Sequence, residues 1–477
     1  MAIVLIASAF ILGGGSRPDI ASVPYLRALS ALAFGFAAFS LNANRLRTYR
    51  ILLWFASALV ALPALQLLPL PPGLANGLGG HEIVAEIDSE LQLGKLWRPL
   101  TMSPQWTLNA LFALTVPLAA LVLATNLSVN EHGKLALCIC LLGALSGILA
   151  ILQIQGPPQG PLYFYDITNN GSAVGLFANR NHQAIFLACL VPIGFALTVS
   201  RRGPFTDRAL SSPNKAHQAF RSIEGWRTGL IMAVSAAFVT AMVIITGSRA
   251  GLLAIAIALL STPFVTGSFG RDAKADGSKQ SRMLIIALSL SAAGMLASLA
   301  VWLDHAVALD RLVASTPSDE MRLKILPVMR EMIVAYWPWG SGAGTFQKVY
   351  QIYEPGSLLE PAYMNHAHND WLEAIMTGGA IAALLLIAGV GGWLLAASRV
   401  LAAGSVDTFQ PLRRAALVVV LMLAIASITD YPLRTPSVSV LFAICAVWLC
   451  VPFVRSSTEE RLSRRTTDFA KQETTSK

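Results

Sequence analysis

Between Met364 and Gly379 the chain reads MNHAHNDWLEAIMTGG, with two imidazoles, two carboxamides and two carboxylates set directly against an apolar run. A neutral imidazole can take a proton from a hydroxyl near pH 7, so His366 and His368 are candidates for general-base work. Asp370 followed by Glu373 fits an acidic form of the capping box, which assigns these carboxylates mainly to starting a helix that continues to about Ala397. His368 then lies just before the cap, near the positive end of the helix dipole, where imidazolium is disfavoured. His368 is therefore expected to be the base and His366 its support, with Asn369, Asp370 and Glu373 as neighbours.

Four more polar clusters break the apolar sequence: FANRNHQA (Phe177–Ala184), TGSRAG (Thr246–Gly251), Arg322, and TDYPLR (Thr429–Arg434). Guanidinium offers paired donors to phosphate oxygens and keeps its charge when partly desolvated. Arg249 and Arg322, followed by Arg180 and Arg434, would together suit a pyrophosphate, with His182 close by. A snorkelling anchor accounts for any one of them equally well. WGSGAGTF (Trp339–Phe346) looks like a glycine-rich phosphate loop but follows no strand, and a tight turn is the better reading. No spacing of His, Cys, Asp or Glu suggests a metal site.

The elements that must position these groups are membrane helices. Of 477 residues 55% are hydrophobic and 13% charged, about half the charge of a soluble chain. Apolar stretches of spanning length recur from end to end, which predicts an all-α polytopic membrane protein and sets aside a soluble fold. Twelve spans are expected, near 1–15, 22–41, 51–70, 107–127, 134–154, 175–199, 228–246, 248–266, 283–303, 371–397, 415–430 and 436–454. With both termini cytoplasmic, 23 Lys and Arg fall inside and 11 outside, as the positive-inside rule requires. All five polar clusters then face the periplasm. The scattered basic residues behind the +9 net charge suit anionic lipid rather than nucleic acid.

One outer loop, 304–370, carries DEMRLKILPVMREMIVAY, whose spacing predicts an amphipathic helix at the outer surface. Residues 1–454 form the transmembrane domain, and 455–477 read as a basic, disordered cytoplasmic tail. The five cysteines lie in apolar runs without ligand or disulfide spacing.

From about Gly175 to Pro436 the order FANRNHQA, TGSRAG, RLKILPVMREMIVAYWPWGSGAGTF, HAHNDWLEAIMTGG, DYPLR resembles the O-antigen ligase and polymerase group of bacterial membrane glycosyltransferases. Ligases of that group carry His, then Asn, Ser or Gln, nine residues, and a Gly-x-x-Gly pair. His368, Asn369 and Gly379 match, while Ala382 stands in place of the second glycine. The resemblance implies metal-independent, inverting transfer of a glycan from undecaprenyl pyrophosphate to an acceptor hydroxyl at the periplasmic face of the inner membrane. No soluble cofactor is implied. The acceptor would be lipid A–core for a ligase, or a growing O-antigen or exopolysaccharide for a polymerase. A transporter of anions or polysaccharide is the rival from another class, and a non-catalytic assembly partner a third.

Overall fold

The computed structural model describes residues 1–200, 215–267, 317–359, 363–403 and 407–452. The main helices are α1 (Ala2–Leu12), α2 (Val23–Phe39), α3 (Arg50–Gln66), α4 (Pro104–Thr125) and α5 (Val129–Gln155). Next come α6 (Arg180–Ser200), α7 (Lys215–Ile245), α8 (Arg249–Leu260), α9 (Pro317–Ala335) and α10 (Phe346–Tyr353). The last are α11 (Asp370–Ala402), α12 (Gln410–Ala426) and α13 (Pro436–Cys450). Among the described residues four helices, α4, α5, α6 and α11, are long and apolar enough to cross a membrane. Each expected span except 283–303 coincides with a helix; that stretch, residues 304–316 and the 455–477 tail lie outside the described residues. Among the described residues the strands are two residues each, Pro69–Leu70 paired antiparallel with Arg98–Pro99.

The core forms around α6, which is apolar on every side and packs against α5, α7, α8 and α12. Phe186, Cys189, Ile193 and Ala196 are fully enclosed. At one end of the bundle, Arg413 is buried and donates to the carbonyls of Val451 and Pro452 and to Asp407, tying the start of α12 to the end of α13. At the other end Gly13 accepts from the Ser437 amide and sits against Leu26 and Pro436, which brings α1, α2 and α13 together. That second end carries the polar clusters.

The start of α11 departs from the expected capping box. Asn369 is the N-cap, its Oδ1 accepting from the Leu372 amide at 3.0 Å. Glu373 turns away from the cap backbone and takes the Ala367 amide at 2.8 Å instead. Helix α11 runs to Ala402 rather than Ala397 and breaks at Gly379, where φ is 60°. The glycine-rich loop fills that break: Ser341 and Gly342 amides donate to the carbonyls of Met376 and Thr377, and Ala380 donates to Pro338. Gly340 and Gly379 pass so closely that a Cβ on Gly379 would lie 2.1 Å from the Pro338 oxygen. These loop amides are used on protein carbonyls, so the segment is a tight turn and not a phosphate cradle.

The amphipathic pattern does form α9. Its apolar positions Ile325, Val328, Met329 and Met332 are buried against Phe346, Val349, Tyr350 and Met376, so protein rather than a membrane surface covers that face.

Candidate functional site

Asp430 sits in the turn between α12 and α13 and is fully enclosed. Its Oδ2 accepts from Asn181 Nδ2 at 2.7 Å, and its Oδ1 from the Tyr431 amide at 2.9 Å. Two imidazoles face Oδ1, His368 Nδ1 at 3.5 Å and His182 Nε2 at 3.7 Å, while Arg322 Nη2 lies 3.9 Å from Oδ2. Burial pushes the Asp430 carboxyl up, but the facing imidazoles more than reverse this and hold it well below the usual carboxylate range. His182 is itself fixed by Thr435, whose hydroxyl lies 2.8 Å from Nδ1.

Tyr431 is the hub of the three histidines, its ring centroid 4.6 Å from His366, 4.9 Å from His368 and 5.2 Å from His182. On its other side is a second charged group. Arg434 Nε pairs with Asp370 Oδ1 at 2.7 Å and Nη1 with Glu373 Oε1 at 3.1 Å, and His366 Nδ1 reaches the same Glu373 oxygen at 3.1 Å. Burial works against the charge of Arg434, and the carboxylates of Glu373 and Asp370 overcome it, raising its pKa. His368 has φ 52°, a left-handed conformation that costs a non-glycine residue energy and is a reason to look for function there. Its side chain keeps 24% of its surface open while Nδ1 is buried, so the open part lies away from that nitrogen.

The structure thus gathers His182, His366, His368, Asn369, Asp370, Glu373, Arg322 and Arg434. Arg180 and Arg249 stand at its edge: Gly251 packs on Ala184, one turn beyond Arg180, so the starts of α6 and α8 are neighbours. Sequence reasoning missed Asp430, Tyr431 and Asn181. Asp430 carried the same signal as the arginines, a charge abutting an apolar span within the TDYPLR cluster.

Beside these groups a cavity of about 750 Å³ opens between α2, α3, α4, α11, α12 and α13. Its wall is mostly apolar, with Leu59, Leu62, Leu386 and Phe442 among the lining residues. His366, Asp370 and Arg434 lie on the same wall.

Residues 233–387 match the family model described as O-antigen ligase, which bears out the resemblance seen in the motifs. The match includes Arg249, Arg322, His366, His368, Asp370 and Glu373, whereas Arg180, His182, Asp430 and Arg434 lie outside it. No curated protein matches the chain.

Proposed function

We propose, taking the O-antigen ligase match as premise, that this chain is a membrane glycosyltransferase using undecaprenyl-pyrophosphate-linked glycan as donor. Transfer takes place at the periplasmic face of the bacterial inner membrane, and both termini are cytoplasmic. The observation that carries this reading is the His368–Asp430 pair with Arg322 alongside, next to an apolar cavity suited to a polyprenyl chain.

In this mechanism Nδ1–H of His368 faces Asp430, and the Nε2 lone pair takes the acceptor hydroxyl proton. The acceptor oxygen bonds to the anomeric carbon from the side opposite the leaving group, inverting it. The bond from that carbon to the pyrophosphate oxygen breaks, and its electron pair departs with the pyrophosphate. Asp430 stabilises the imidazolium that forms and keeps the ring in place, as a buried carboxylate does for a catalytic histidine. Arg322, Arg249 and Arg180 hold the leaving group, whose charge needs cations more than protons. Arg434 is held by Asp370 and Glu373 and acts by positioning them, together with His366. Arginines carry the leaving-group charge in this scheme, so transfer is expected to continue in EDTA.

Purified protein given an undecaprenyl-pyrophosphate-linked glycan and either lipid A–core or a free polysaccharide end tests the reading. Product mass separates ligation from chain extension. Absence of any glycosidic product, with the donor or a free anion crossing sealed vesicles instead, would establish the transport reading and end this one.

A further inference from the structure

Arg27 is the fifth residue of α2, and the groups of the catalytic scheme leave it unexplained. Its neighbours set its direction. Tyr25 is exposed and Leu26 is fully buried, while Arg27 lies on the wall of the large cavity. Its Nη1 donates to Asn109 Oδ1 of α4 at 2.7 Å, and its Nε is buried without a hydrogen-bond partner among the described residues. No carboxylate among the described residues pairs with it. The nearby wall carboxylate, Asp370, is held by Arg434, and Arg17 on the same wall is held by Asp19.

The chemistry of the pair is one-sided. Guanidinium has donors and no acceptor, so Asn109 must turn its carbonyl oxygen toward Arg27 and leave its NH₂ for another partner. Both side chains therefore present spare donors, and together they carry an uncompensated positive charge on an apolar wall. An unpaired charge at membrane depth is costly and marks a ligand pathway or partner. The complement is an acceptor-rich anion carried into the cavity on an apolar chain. A phosphate ester of a lipid has that form.

We infer that Arg27 and Asn109 form a subsite for the phosphoryl group nearest the lipid in a polyprenyl-phosphate donor; this rests on the donor class proposed above. The placement fits. Gly13 wedges between Leu26 and Pro436, so Arg27 follows a residue packed near the start of α13, two positions after Arg434. The sugar-proximal phosphoryl group is then left to Arg322 and its neighbours around Asp430, and the chain lies along the cavity.

The test is binding to purified protein in nanodiscs, for wild type, Arg27→Gln, Arg27→Lys and Asn109→Ala, each checked for a monodisperse, cooperatively melting species. Probes are undecaprenyl pyrophosphate, undecaprenyl monophosphate, inorganic pyrophosphate and phosphatidylglycerol. Arg27→Gln should weaken both polyprenyl phosphates by about ten- to a hundredfold and weaken inorganic pyrophosphate in the same direction. Arg27→Lys should recover part of the loss, and Asn109→Ala should lose less than Arg27→Gln. Unchanged binding of both polyprenyl phosphates by Arg27→Gln and Asn109→Ala overturns the inference while leaving the proposed transfer intact. An equal loss for phosphatidylglycerol assigns the subsite to bulk lipid and also overturns it. A wild type that binds neither polyprenyl phosphate removes the donor class itself, a distinct result.

Discussion

At the scale of the residue, His368 is strained, mostly enclosed and aimed at a buried carboxylate, and each property has a measurable consequence. His368→Asn removes the base but suits the left-handed backbone, because asparagine tolerates positive φ better than most residues. It should melt no lower than wild type in detergent while transferring about 10²–10⁴ times more slowly. Near-wild-type turnover would falsify the base assignment. Asp430→Asn keeps the shape and removes the charge that His182, His368 and Arg322 face. Breaking a buried ionic group of this kind costs about 3–5 kcal/mol. Because the folded pKa of Asp430 is depressed, its stabilisation is fully present above an unfolded value of about 3.9 and is lost as pH falls through the lower folded value. The melting difference between wild type and Asp430→Asn should therefore still be present at pH 5 and shrink only in stronger acid. A difference that disappears already near pH 6 argues against a depressed carboxyl.

At the scale of the element, the break in α11 is what separates the site-bearing turn from the long apolar segment beyond it. Segment 380–402 remains long enough, at about 1.5 Å per residue, to cross the hydrocarbon core by itself. The break depends on Gly379, whose left-handed backbone and contact with Pro338 leave no room for a Cβ. Ala382 reinforces it, since a Cβ on Gly378 would come within 2.5 Å of the Ala382 methyl. Gly379→Ala should cost about 1–3 kcal/mol in backbone strain alone, with the collision added. Gly391→Ala meets nothing within 4 Å and serves as the control. Thermal unfolding of both purified variants checks this, and equal melting temperatures would show that the close approach is not needed. Because the site loops hang from this break, Gly379→Ala should also lower transfer more than its loss of folded protein explains.

At the scale of the whole molecule, the two ends of the bundle differ in kind. One is pinned by Arg413 and by His132, whose Nδ1 accepts from Trp448, and the other carries the imidazoles, arginines and cavity mouth. Under the proposed orientation the first end is the cytoplasmic one. In a cysteine-free background, Arg47→Cys should react only with reagent that crosses the membrane, and Asn76→Cys with an impermeant one. Both positions are exposed, so access to reagent depends on the side they occupy. Labelling of both from one side would overturn the orientation and the periplasmic placement of the site.

Class and approximate helix limits were legible in the sequence because burial in lipid requires long apolar helices, and that demand is written residue by residue. So was the nature of the site: charges cost energy next to apolar spans, and His182, His366, His368, Arg322 and Arg434 stood out for that reason alone. Their pairing was not legible. That Arg434 answers Asp370 and Glu373, or that Asp430 rather than a neighbour faces His368, depends on how α6, α11 and the 427–435 turn meet across separations of dozens to hundreds of residues. The N-cap shifted from Asp370 to Asn369 because local propensity accepts either residue, and the ion pair with Arg434, a tertiary contact, takes Asp370 out of the competition. The helix break at Gly379 likewise needed a partner, the Trp339–Phe346 loop, to satisfy carbonyls that a solitary helix would have kept for itself. Periodicity and composition set which segments form apolar helices; only packing among those segments decided which polar groups meet.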